Sequence, residues 1–205
     1  MTWEPDYVTS AVAKAELRIH DDIDDAQIAR KITAASRAID LFTKRQFGQV
    51  ATAEARYFSP WYDEDQRRWV AEIDDLMDLT NAAVAVDSGD DDEFDNTIAL
   101  ADYRFRPRNA VVTNRPYTQI SILSRATAPL RRPDSVRVTA LWGWSSVPVT
   151  IQEACLLQVN RLLWRRDAPA GVAGSPSIGS EVRLLAKLDP DVEVMIREYR
   201  RMWRA

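Results

Sequence analysis

The sequence predicts an α+β protein: N-terminal and C-terminal helices packed together as an antiparallel helical bundle, with an antiparallel β-rich region inserted between them. Three observations predict it. Apolar residues recur at helical spacing near both ends of the 205-residue chain. Between about Ala51 and Trp144 the period changes to two, and turn-rich pieces such as "SPWYDEDQ", "SGDDDEFDN" and "RPRNA" separate the alternating runs. Because the alternating region interrupts the helices, they can still meet in one α+β domain over 1–205. The expected boundaries are N-terminal helices over 8–48, the β-rich region over 49–146, and C-terminal helices over 147–205 with a long loop at 167–188.

The first helical signal, "SAVAKAELRI", runs from Ser10 to Ile19, and the "HDDIDD" after it offers several N-caps. In "DAQIARKITAASRAIDLFTKRQF", Ile28, Ile32, Ala35 and Ile39 share a face. Acids at its start and Lys44 and Arg45 near its end suit the helix dipole, and Gly48 is the predicted stop. Six runs then read as strands: "TAEARYF", "RWVAEI", "AAVAVDS", "IALADYRF", "TQISIL" and "SVRVTALW". In the last, Val136, Val138, Ala140 and Trp142 alternate with Arg137 and Thr139, which predicts one buried and one wet face. Gly143 is expected to bend or end that strand. Helical spacing returns in "VPVTIQEACLLQVNRLLWRRD", where Thr150 and Glu153 form a predicted capping box with Val149 as its hydrophobic staple. Asp189 and Pro190 then announce a final helix as N-cap and first residue, with Val192, Met195, Ile196, Tyr199, Met202 and Trp203 as its apolar stripe.

Composition removes much chemistry. One cysteine, Cys155, and one histidine, His20, leave no internal disulfide and almost no material for a Cys–His or Ser–His–Asp site. Cys155 falls in a helical apolar pattern, as a buried inert thiol does. Adjacent acids such as Asp74 and Asp75 point to opposite faces of a strand and make poor acid–base pairs. Counted from Asp87, the loop "DSGDDDEFDN" puts Asp92 where a calcium loop needs Gly and Ile98 where it needs a bidentate Glu. The glycines of "GVAGSPSIG" follow no strand and precede no GK[ST], so they are not a phosphate loop. The prediction is no catalytic residue, no metal and no cofactor. No apolar run is long enough to cross a bilayer, and "MTWEPDYVTS" has neither the basic nor the apolar part of a secretory signal, so assembly in the cytoplasm is expected.

Three features point outward. The net charge of −4 is segregated, with acids at Asp21–Asp25 and Asp87–Asp95 and arginines near the C-terminus. Arg197, Arg200, Arg201 and Arg204 crowd the final helix, where they either favour the dipole and solubility or dock on an acidic partner. Trp3 and Trp61 fall in irregular segments and suit a partner surface, whereas Trp142 and Trp203 fall on inner faces. The stretch 167–188 carries Gly171, Gly174 and Gly179, three of six glycines in the chain. It is far longer than the 2–8 residues that usually join bundle helices.

The run "ITAASRAIDLFTKRQF", the pair "DYRFRP" and "RPYTQI", the segment "VTALWGWSSVP" leading into "IQEACLLQVNRLLWRRDAPAGVAG", and the ending "LDPDVEVMIREYRR" resemble, in that order, head-to-tail connector proteins of tailed bacteriophages, also called adaptor or head-completion proteins. The resemblance covers about Tyr7 to Arg201. It implies a structural virion protein: a dodecameric ring beneath the portal that extends the DNA channel and offers a platform to the next neck or tail protein. Its expected partners are other copies of itself, the portal, a downstream stopper or tail protein, and genomic DNA that passes without sequence-specific binding. No membrane, cofactor or catalysis is implied. The alternatives are a neck stopper or tail-terminator protein and, in another class, a DNA-binding protein. On this reading the long loop is ordered by assembly. Ala168, Pro169, Gly171, Val172, Gly174, Pro176, Ile178, Gly179 and Arg183, with Arg197, Arg200, Arg201, Trp203 and Arg204, are the expected portal or subunit interface. Arginines would hold passing DNA by its phosphates. Acids are therefore expected in the lumen, and Asp21, Asp22, Asp24 and Asp25, or Asp90, Asp91 and Asp92, are the candidates.

Overall fold

The computed structural model describes residues 4–167, 172–173, 182–183 and 188–201. Among these, the chain is α+β, with four α-helices and two four-stranded antiparallel sheets. It divides into two units: residues 1–47 with 147–205, and residues 48–146.

In the first unit, α1 (Ser10–Leu17) starts where Thr9 accepts the Val12 N–H on its hydroxyl, and ends at Arg18 in the left-handed conformation. α2 (Asp25–Thr43) buries Ile28, Ile32, Ala35 and Ile39, as their spacing predicts. Each such isoleucine contributes about 1.5–3 kcal/mol. The predicted stop at Gly48 is wrong by several residues. α2 ends at Thr43, whose hydroxyl bonds back to the Ile39 carbonyl at 2.8 Å, and Lys44 takes φ 57° and closes on Asp40. A backbone position that glycine often fills is here occupied by lysine.

α3 (Val149–Asp167) buries Ile151, Ala154, Cys155 and Val159. The capping box is a correction: the helix begins one residue before Thr150, the Pro148 carbonyl receives the Ile151 and Gln152 N–H groups, and Val149 is exposed, so no staple forms. α4 (Pro190–Ile196) starts as predicted, with the Asp189 carboxylate accepting the Asp191 N–H at 3.0 Å. It does not run on to Trp203. After Ile196 the chain tightens into a 3₁₀ turn over Arg197–Tyr199 and is extended at Arg200. The reason lies on α2. The Arg201 N–H satisfies the Thr43 carbonyl at 2.7 Å, and the Arg45 side chain donates to the Tyr199 carbonyl at 2.7 Å. Satisfying the otherwise unpaired end of α2 outweighs another turn of helix. Phe47 sits between two aromatic edges, Tyr7 and Tyr199, each 5.6 Å away. Tyr7, before α1, and Tyr199, after α4, thereby meet on one phenyl ring.

The second unit holds β1 (Glu54–Phe58), β2 (Trp61–Asp63), β3 (Arg68–Leu76), β4 (Asp78–Val86), β5 (Asn96–Thr97), β6 (Tyr103–Arg106), β7 (Tyr117–Leu123) and β8 (Val136–Leu141). One sheet has the order β1-β8-β4-β5, the other β2-β3-β7-β6. Val136, Val138, Ala140 and Trp142 are buried and Arg137 and Thr139 are half-buried, as the alternation predicts. Two expectations are corrected. "IALADYRF" is not one strand, because Leu100–Asp102 is a 3₁₀ turn ahead of β6. Trp61 is not irregular: it lies on β2, opposite Val70 of β3. Gly143 turns the chain at φ 107°, and a side chain there would meet the Gly48 carbonyl oxygen 1.9 Å away. Only glycine fits.

Candidate assembly surfaces

Cys155 is buried against Ser36, with Sγ 3.6 Å from Oγ, and burial pushes its thiol up to about 11. Among the described residues no group of three His, Cys, Asp or Glu side chains is placed to hold a metal ion, and no helix is long and apolar enough to cross a membrane.

The acidic loop after β4 is built around Asp87. Its carboxylate is fully buried and accepts the N–H groups of Gly89, Asp90 and Asp92 at 2.9, 3.0 and 3.1 Å, together with the Arg132 guanidinium. Burial alone would raise this carboxyl. The Arg132 hydrogen bond and the backbone donors outweigh it and hold the group below its usual range. Arg132 also reaches Asp90 at 3.1 Å and Asp92 at 2.7 Å. Asp90 and Asp92 adopt left-handed backbone, and Asp91 accepts the Glu93 N–H. Two of the three proposed lumen acids of this loop are therefore ion-paired to the arginine that shapes it, though their side chains remain largely exposed.

At the start of α2, Asp22 and Asp25 each lie 2.7 Å from the Lys14 ammonium. Asp21 accepts the Ile23 N–H, and Asp24 stands at the N-cap position without a capping bond from its side chain. The turn leaves Ile23 exposed. His20 is exposed beside it.

Of the predicted interface, Arg197, Arg200 and Arg201 come together where the 3₁₀ turn meets the end of α2. Arg197 and Arg200 are exposed, and Arg200 sits over the Phe42 ring at 5.9 Å. Ala168, Pro169, Gly171, Gly174, Pro176, Ile178, Gly179, Trp203 and Arg204, and Trp3, lie outside the described residues. The stretch 167–188 is not loop throughout. β9 (Val172–Ala173) and β10 (Val182–Arg183) pair antiparallel, Val182 opposite Ala173 and Arg183 opposite Val172. Two-residue strands leave no periodic signal to read.

Sequence reasoning missed the exposed apolar residues of the helices. Val149, Leu157 and Trp164 on α3 and Leu41 on α2 face outward. The signal was present in "ACLLQVNRLLW", which is apolar at more positions than one buried face requires.

This α+β arrangement occurs in the necks of gene transfer agent particles. The chain matches, over 100% of its length and 95% of the other, a chain from the neck of an empty GTA particle computed with C6 symmetry, at TM-score 0.56 and 18% identity. It matches one from the neck of a native GTA particle computed with C12 symmetry at TM-score 0.53 and 20% identity, again covering 100% and 95%. A chain of the virion of the native gene transfer agent particle gives 0.55 and 18% at the same coverage. No protein-family model and no curated protein matches the chain.

Proposed function

We propose that this protein is a structural component of a phage-type neck, located in the virion at the head–tail junction: a head-to-tail adaptor that forms a ring beneath the portal. The observation that carries the proposal is the end-to-end correspondence with neck chains, covering 100% of this chain, in assemblies of C6 and C12 symmetry. A shared fold alone does not define function. Here it joins a sequence resemblance to connector proteins and, among the described residues, exposed apolar and charged patches. In this reading a dodecamer extends the DNA channel, its helices act as a bundle carrying the β-rich insert, and acids such as Asp91 keep the lumen from holding DNA. The stretch 168–183 and the arginines at 197, 200 and 201 meet the portal or a neighbouring copy. The protein makes and breaks no bond.

The test is co-purification of the full chain with portal rings, followed by imaging of the complex. A ring seated on the portal is the expected result. Binding to tail components but not to the portal would make it a stopper or tail-terminator protein instead. Salt-dependent binding of the free subunit to duplex DNA would favour the DNA-binding reading. Deleting 171–179 is expected to abolish docking; a deletion variant that still docks and supports tail joining removes that segment from the interface.

A further inference from the structure

α3 is apolar on two sides. Ile151, Ala154, Cys155 and Val159 face the core with no exposure, yet Val149, Leu157 and Trp164 are 71%, 44% and 74% exposed. The spacing from 149 to 157 to 164 puts these three on one stripe of the helix, with Glu153 among them. Single exposed apolar residues are ordinary, but a stripe that includes a tryptophan marks a surface that something covers.

A matching stripe lies on α2. Ala26, Arg30, Ala34 and Leu41 are exposed at helical spacing, Leu41 by 70%. The α3 stripe from 149 to 164 and the α2 stripe from 26 to 41 are each about 22 Å long. One presents large side chains, and the other alternates small with large, Ala26 and Ala34 with Arg30 and Leu41. Their charges are opposite end for end. α2 begins among Asp21, Asp22, Asp24 and Asp25, whereas α3 closes with Arg161 and Arg165, which flank Trp164 in sequence. Asp22 and Asp25 share Lys14, and Arg161 pairs with Asp189, but the α2 end keeps its excess of acid.

We propose that the α3 stripe of one copy packs against the α2 stripe of the next, and that this joint builds the ring. The inference rests on the ring reading above and names the surfaces that make it. The charges and the helix dipoles both require an antiparallel pairing. That pairing brings Trp164 over Ala26, Leu157 over Ala34, and Val149 against Leu41, with Glu153 level with Arg37. Large residues then enter the spaces that small ones leave. The contact is heterologous: each copy offers one stripe of each kind, so the contacts propagate from copy to copy, as a ring requires.

Cysteine cross-linking tests the joint. In a Cys155→Ala background, the pair Ala34→Cys and Leu157→Cys is introduced into the full chain, which is then oxidised mildly. A ladder of covalent oligomers ending at the ring size is expected. Either single substitution alone is expected to give no ladder. Dimers from Leu157→Cys alone would mean that α3 meets α3, and would overturn the proposal. Mixing supplies a second readout. Trp164→Asp chains and Ala34→Arg chains should each fail to form rings, yet combine into heterodimers through the one intact stripe each retains. Ala34, Leu157 and Trp164 are exposed, and the buried Cys155→Ala change is common to every cross-linking chain, so unchanged circular dichroism and Tm relative to that background would separate a lost joint from a lost fold. Rings that form without the 34–157 link remove the joint and leave the ring reading standing. A chain that stays monomeric and unlinked at every concentration, with or without portal, takes down both.

Discussion

Each unit of this protein holds an aspartate out of water, and the two are treated in opposite ways. Asp87 in the sheet unit is fully buried, receives three backbone N–H groups and the Arg132 guanidinium, and is held below the ordinary carboxylate range despite its burial. Asp40 in the helical unit has a side chain 13% exposed. It accepts one hydrogen bond, from the Tyr7 hydroxyl, and Arg37 Nε lies 3.1 Å from its other oxygen without hydrogen-bond geometry. Burial pushes Asp40 up to about 6; Tyr7 and Arg37 pull against that shift, and Glu4 adds to it. The difference teaches that burial alone does not set the charge state: the number of donors aimed at the carboxylate does.

The largest test removes the cation from the better-served site. Arg132→Met leaves a buried carboxylate with backbone donors only and frees Asp90 and Asp92 to repel each other. A fall in Tm of roughly 10 °C is expected, from the cost of breaking a buried ion pair in a chain of this size. The acid limb should move as well. The stability that Asp87 contributes is present above its unfolded pKa and is lost as pH falls through its lower folded value, below about pH 4. In Arg132→Met the loss should begin at higher pH. A variant with the wild-type Tm and acid limb would mean that the three backbone N–H groups suffice.

These two sites also mark what was legible in the chain. The core face of α2 and the alternation of β8 follow from residue spacing, because local period decides them. The Asp87–Arg132 clamp joins residues 45 apart in sequence, and no local period records it. The same holds for the end of the last helix, which the Thr43 carbonyl decides from across the unit. Of the candidate surface, the acids and arginines were visible as charge runs. The outward stripe of α3 was hidden because its residues are the same types as its core.

Tyr7→Phe tests the poorly served site from the donor side. The Tyr7 hydroxyl donates to Asp40 and accepts the Phe47 N–H at 3.1 Å, so its loss leaves two partly buried groups unsatisfied. About 3 kcal/mol of lost stability at pH 8 is expected from unmade hydrogen bonds of this kind. Without its one donor, Asp40 should titrate above 6, which is measurable by NMR of the carboxyl carbon. An unshifted Asp40 would mean that the Tyr7 hydrogen bond has no part in setting its charge, leaving burial, Arg37 and Glu4.

Asp40→Asn is the smallest change, and its sign is the sharper test. The folded pKa of Asp40 is raised above the ordinary 3.8. Between about pH 4 and 6 the folded chain therefore binds a proton that the unfolded chain does not. The stability from that proton is fully present below about pH 4 and is lost as pH rises through 6. Asparagine keeps the acceptor for Tyr7 and carries no charge, so it imitates the protonated state at every pH. Discounted for its partial exposure, the gain over wild type at pH 8 is about 2 kcal/mol, and it should vanish near pH 4. Equal Tm values at pH 8 would show that Arg37 compensates the buried charge in full. A lower Tm for the variant at pH 8 would show that the ionised form is the one the helices are built to hold, and that the two aspartates are alike after all.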